Sequence, residues 1–183
     1  MNQVEGSPVG DHVVLIGPMG AGKSSLARQL SRLTSRRWVD TDRMVTDRTG
    51  LAITELFERH GEEEFRRLES EALFSLAEHR RLIVATGGGI VTRPENHLAL
   101  RSLGCVVFLN ATLEVLFERV SRNQRRPLLH TADPEGTLRN IVAQRLPLYE
   151  ACANLTVDTS NGTHEGLAHE VLDSAQAFFT RRA

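Results

Sequence analysis

The sequence predicts a doubly wound α/β domain, five parallel strands in one sheet with helices on both faces. Three observations predict it. Short, nearly unbroken apolar runs recur along the chain, and longer amphipathic segments separate them. The first run passes directly into a glycine-rich stretch with a lysine, GPMGAGKS at 17–24. Strands buried on both faces read as continuous apolar runs, and strands that alternate with helices pair in parallel. The ligand crevice of such a sheet lies at the C-terminal ends of its strands.

In chain order, the opening MNQVEGSPVGDH has neither a basic start nor an apolar stretch and reads as a flexible arm over 1–12. The strands are VVLIG (13–17), WVD (38–40), LIVAT (82–86), CVVFL (105–109) and LTVD (155–158). Helical period marks Ser24–Leu33, Phe65–Ala77, Glu95–Leu103, Leu113–Val120, Pro134–Tyr149 and Glu165–Phe179. One domain is expected over 13–181. Its least regular interior segment, SRNQRRPLLHTAD at 121–133, is basic and broken by proline, so it reads as a surface loop or a lid.

Bulk properties exclude several classes. A chain of 183 residues builds one full core and is short for two. The net charge of −1 argues against a nucleic-acid-coating surface. No apolar stretch approaches the roughly 20 residues that span a bilayer. Cys105 and Cys152 have no metal or redox spacing, and Cys105 opens an apolar run as a small hydrophobe. A cytoplasmic monomer without membrane or nucleic-acid partners is the expectation.

Gly17, Gly22, Lys23 and Ser24 fit G-x-x-x-x-G-K-[ST], the phosphate-binding loop of P-loop NTPases. Glycines let the backbone curl so that its N–H groups face phosphate oxygens, and the following helix offers its N-terminus to the anion. The lysine reaches the β- and γ-phosphates, and the serine hydroxyl can ligate Mg²⁺. The loop alone does not choose among GTPases, motor-type ATPases and small-molecule kinases. No N-K-x-D guanine reader is present, and no apolar strand ends in Asp-Glu. DPEG at 133–136 matches D-x-x-G but closes no strand. These omissions favour a kinase.

The acceptor side is sought at the other strand ends. Asp40-Thr41-Asp42 ends the second strand, where alternation would place both carboxylates on one side beside the phosphate loop. One would support Mg²⁺ through water, and the other would receive an acceptor hydroxyl. The plainer reading is a helix starting at Arg43, capped by Thr41 or Asp42. In EEEFRRLE at 62–69, Arg66 and Glu69 are three apart on one helix face. Spacing alone favours a simple ion pair there, against an arginine that grips a substrate carboxylate. Thr86 is followed by Gly87, Gly88 and Gly89, a tight turn or a close approach to ligand. Arg125-Arg126-Pro127 is a solvated basic loop or a source of arginine to the transferring phosphate.

Together GPMGAGKS, DTD, EFRRLE, GGG, RRPLL and QRLPLY, in that order from about Val13 to Asp158, resemble the shikimate kinase family. The resemblance implies a nucleoside-monophosphate-kinase-like fold and transfer of the ATP γ-phosphoryl group to shikimate. ATP would lie on Gly20, Ala21, Gly22, Lys23, Ser24 and Ser25, with Arg119 near adenine and Arg126 on the phosphates. Shikimate would be bound within a region of about 42–70 and beyond it, by Asp42, Phe57, Phe65, Arg66, Gly87, Gly88, Gly89 and Arg145. Lys23, Asp42 and Arg126 would be catalytic, with Mg²⁺ at Ser24 and, through water, Asp40. A gluconate-type kinase shares the loop but is not expected to combine DTD, FRRLE and GGG. A regulatory module without catalysis would not need to keep Lys23, both aspartates and Arg126.

Overall fold

A computed structural model of the chain describes residues 10–122 and 131–182. Five strands, β1 (His12–Ile16), β2 (Trp38–Asp40), β3 (Ile83–Ala85), β4 (Gly104–Asn110) and β5 (Leu155–Asp158), form one sheet in the order β2-β3-β1-β4-β5. Every pairing is parallel. Helices α1 (Lys23–Thr34), α2 (Thr41–Thr49), α3 (Ile53–Ser75), α4 (Pro94–Leu103), α5 (Leu113–Ser121), α6 (Pro134–Cys152) and α7 (His164–Thr180) supply the connections and flanks. Strand β1 is central, flanked by β3 and β4, so the loop after it opens at the switch point of the sheet.

Alternation along the strands builds two cores. Val13, Leu15, Ile83, Ala85, Cys105, Val107 and Leu109 face one side and pack with α1 and α7 residues such as Leu26, Leu30, Ala168 and Val171. Val14, Ile16, Val84, Val106 and Phe108 face the other and meet Leu73, Leu100 and Tyr149. A satellite cluster of Val45, Leu56, Phe65, Leu68 and Ala72 holds α2 against α3. Among the described residues, no helix is long and apolar enough to cross a membrane.

The expected elements are present, with instructive shifts. Helix α3 reaches back to Ile53, well before Phe65, and bends at Gly61, where φ is 81° and ψ 169°. That bend interrupts the 3.6-residue period that marked its second half. Strand β2 ends at Asp40 and α2 begins at Thr41, so Asp40, not Thr41 or Asp42, caps the helix. Asp40 Oδ1 accepts from the backbone N–H of Asp42 at 3.0 Å and of Arg43 at 3.4 Å. Strand alternation therefore does not relate Asp40 to Asp42, which lies in the first turn of α2.

Residues 10–12 join the body, although the arm was expected to extend over them. The Gly10 N–H donates to Ser102 O at 2.7 Å, and Arg81 N–H donates to Asp11 Oδ1 at 2.7 Å. His12 is buried, and its Nδ1 accepts from Leu82 N–H at 2.9 Å. Burial lowers its pKa from the ordinary 6.5, against the opposing pull of Asp11. The folded protein thus takes up this proton less readily than the unfolded chain, so stability is held above about 6.5 and lost as pH falls below it. Thermal unfolding between pH 7.5 and 5.5 should show the wild-type midpoint falling. His12→Asn keeps a side-chain acceptor without the titration and should flatten that slope.

Candidate active site

The phosphate loop owes its shape to missing side chains. Gly22, the residue before α1, has φ 90°, and no side chain caps the helix start. An uncapped N-terminus leaves backbone N–H groups directed at whatever anion sits there. Lys23 Nζ donates to Gly17 O at 2.7 Å and Pro18 O at 2.8 Å, which folds the ammonium back over the loop. The Ser24 hydroxyl donates to Asp40 Oδ2 at 2.6 Å, so one carboxylate both caps α2 and reaches the loop.

A cavity of about 550 Å³ opens beside this loop. Gly20 to Ser25, Asp40, Asp42, Gly88 and Arg119 line it, so the expected nucleotide residues share one space with Asp42 and Gly88, whereas Phe57, Phe65, Arg66, Gly87, Gly89 and Arg145 are not among its lining residues. Its size lies within the range of small-molecule sites, roughly 300–1,000 Å³. Arg119 spans one wall, donating to Thr159 O at 2.7 Å and Gly20 O at 3.3 Å. Thr159 Oγ1 in turn lies 3.1 Å from Ala21 O. Thr159, Arg122 and His164 line the cavity without having been singled out from sequence. Arg125, Arg126 and most of the segment 121–133 fall outside the described residues.

One arginine lies at the centre of the residues expected to take the acceptor. Arg66 is buried on α3, where Nη1 donates to Glu69 Oε2 at 2.7 Å. Its Nε and Nη2 reach Glu62 Oε1 at 3.2 and 3.0 Å. The simple pairing favoured by spacing therefore forms, with Glu62 added one turn earlier. The two acids differ in exposure: the Glu62 side chain is 48% exposed and that of Glu69 only 1%. Burial and, after the opposing effect of Arg66, the Asp42 charge hold the Glu69 carboxyl up at about 7. Burial alone would lower the Arg66 pKa, but Glu69 and Glu62 more than offset it and keep the guanidinium charged.

The three glycines sit where several groups converge. The Gly87 N–H donates to Thr41 Oγ1 at 3.0 Å. A Cβ at 87 would be driven into Glu69 Oε1 and Asp42 Oδ1, and one at 89 into the Arg66 guanidinium. Position 88 lies against the phosphate loop, 3.3 Å from Met19 N for a Cβ built there. Close approach thus favours glycine at 87 and 89, where a Cβ would displace buried charged groups, and leaves only a tight fit at 88. Gly87→Ala should displace both carboxylates and raise the acceptor KM at least tenfold while ATP KM changes little; initial-rate kinetics in both substrates checks this. Arg145 Nη1 donates to Gly88 O at 3.2 Å, and the Tyr149 hydroxyl donates to the same oxygen. Phe57 and Phe65 pack on each other, 5.1 Å between ring centres, in the satellite cluster. Both rings thus pack in the hydrophobic cluster, and Phe65 adds a face to the Arg66 guanidinium at 5.2 Å.

A parallel sheet with a phosphate loop at its switch point, beside a cavity that Asp40 and Asp42 line, defines a P-loop kinase of small molecules. Comparison with known proteins is sharper. A family model described as shikimate kinase matches residues 19–176. The chain is 43% identical over 166 residues to the shikimate kinase of Bordetella pertussis, covering 91% of this chain and 79% of that one. A solved shikimate kinase from Acinetobacter baumannii, in complex with shikimate, superposes with a TM-score of 0.88 at 37% identity, covering 91% of this chain and 93% of its own. A gluconokinase from Sinorhizobium meliloti shares the fold, with a TM-score of 0.55 at 14% identity and coverage of 96% and 98%. The chain belongs to the shikimate kinase family.

Proposed function

We propose that this crevice transfers the γ-phosphoryl group of ATP to the 3-hydroxyl of shikimate, giving shikimate 3-phosphate and ADP. The observation that carries the reading is the junction at Gly87–Gly89, where the phosphate loop, the Asp42 carboxylate and the Arg66 guanidinium come together.

ATP would lie along Gly20–Ser25, with its polyphosphate on the loop N–H groups and Lys23. Arg119, stretched between Gly20 and Thr159, would flank adenine. Arg126 enters on its sequence position alone, as a lid cation on the phosphates within 121–133. The shikimate carboxylate would take the place of Glu62 on Arg66, because Glu62 is the exposed partner and can return to water. Glu69 would stay and hold the guanidinium plane, since it is buried. Arg145 and the N–H groups of the glycine turn would supply further donors. Phe57 and Phe65 would border the ring.

Ser24 Oγ and Asp40 Oδ2, adjacent at 2.6 Å, are oxygen donors of the kind Mg²⁺ takes. Among the described residues no group of three or more His, Cys, Asp or Glu could hold a metal by itself. Mg²⁺ in nucleotide sites is commonly bound by one or two protein oxygens together with the phosphates and water. When bound, Mg²⁺ neutralises charge on the β- and γ-phosphates. Asp42 would orient the acceptor hydroxyl and take its proton, an orienting role being the larger part in phosphoryl transfer. Lys23 would stabilise charge on the transferring group.

The test is product identity. Phosphorus–proton correlation NMR of a reaction with MgATP and shikimate should couple the new phosphorus to the proton on carbon 3. Coupling to another ring position, or none, overturns the assignment.

A further inference from the structure

We propose that Tyr149 is a positioning residue for the acceptor: its hydroxyl holds the Gly88 carbonyl, and through it the glycine turn and Arg145, in the geometry that grips the acceptor carboxylate. This rests on the reaction proposed above.

The geometry is specific. Tyr149 is 1% exposed, and its ring stacks on Phe108 of β4 with centres 5.1 Å apart and planes 17° from parallel. The sheet therefore fixes the ring, and the ring fixes where the hydroxyl points. That hydroxyl donates to Gly88 O, 61 residues away in sequence. Burial pushes the phenol up to about 12, so it remains a donor throughout the working pH range. In a planar trans peptide the C=O and the next N–H point in opposite directions. Anchoring Gly88 O on α6 therefore sets the direction of the Gly89 N–H, in a turn that touches both the phosphate loop and Arg66.

The same carbonyl also accepts from Arg145, one helical turn before Tyr149 on α6. Two donors on one oxygen make one of them dispensable. With Tyr149 in place, Arg145 can turn its guanidinium to a carboxylate without leaving that carbonyl unpaired. Without the hydroxyl, Arg145 is the remaining donor to Gly88 O among these two. Gripping substrate then competes with holding the turn.

Tyr149→Phe removes one oxygen and keeps the stack. Initial rates of the full chain, with ATP and shikimate varied separately, should show the shikimate KM raised about five- to tenfold, as loss of one such hydrogen bond implies. The ATP KM should stay within twofold. Phe108→Leu loosens the stack that aims the hydroxyl but leaves the hydroxyl itself; it should lower the thermal midpoint and raise the shikimate KM by less than Tyr149→Phe does. An unchanged shikimate KM in Tyr149→Phe overturns the proposal. So does an equal rise in both KM values, or a shikimate effect in Phe108→Leu as large as that in Tyr149→Phe. Absence of shikimate-dependent turnover by the wild type, seen in the same experiment, overturns the reaction itself and this role with it.

Discussion

Lys23→Ala should reduce phosphoryl transfer by about a hundred- to a thousandfold while leaving the fold intact. Lys23 is 9% exposed and its ammonium is bonded to two loop carbonyls, Gly17 O and Pro18 O, so the charge is held at the loop where the polyphosphate is proposed to lie. A positioned cation in a site screened from water is worth about 3–4 kcal/mol of transition-state stabilisation, which is the predicted loss in kcat. Single-turnover measurement at saturating ATP and shikimate separates chemistry from product release. Activity within tenfold of wild type would remove Lys23 from the reaction.

Arg66→Ala should act on the other substrate. Charge-assisted hydrogen bonds contribute about 1.5–3 kcal/mol each, so losing the guanidinium should raise the shikimate KM on the order of a hundredfold. The ATP KM should change less than threefold. The same substitution leaves Glu69, 1% exposed, without its buried counter-charge. Stripping one partner from a buried pair destabilises by about 3–5 kcal/mol, so unfolding should be followed beside the kinetics. Arg66→Lys keeps a charge without the planar fork and should fall between the two. Equal rises in both KM values would contradict the role given to Arg66.

The fold was largely legible because its strands announce themselves. WVD at 38–40 and LTVD at 155–158 are strands β2 and β5 in full, and the other three runs are off by one residue at each end. An apolar run flanked by helical period has little else it can be. The first half of α3 was not legible: Gly61 breaks the period that would have joined Ile53–His60 to the segment after it. The loop GPMGAGKS carried its geometry in its own residues, since a glycine with φ 90° before an uncapped helix is a local property.

What escaped was non-local. The DTD stretch pointed to two carboxylates at the site, but alternation was the wrong reason for their placement. Strand β2 stops after three residues, and Asp40 turns to cap the helix that carries Asp42. The burial that sets Glu69 apart from Glu62 depends on what packs over α3. Tyr149 was visible in QRLPLY without a role, because its partner is a backbone oxygen across the domain. No side-chain pattern reports on that.

Acceptor-dependent transfer from ATP to shikimate is measured most directly by ADP release. ADP release should be followed in three parallel reactions, with shikimate, with gluconate and with no acceptor. Shikimate should give rapid turnover, and gluconate none above the acceptor-free background. No shikimate-dependent release, or a preference for gluconate, would contradict transfer to shikimate.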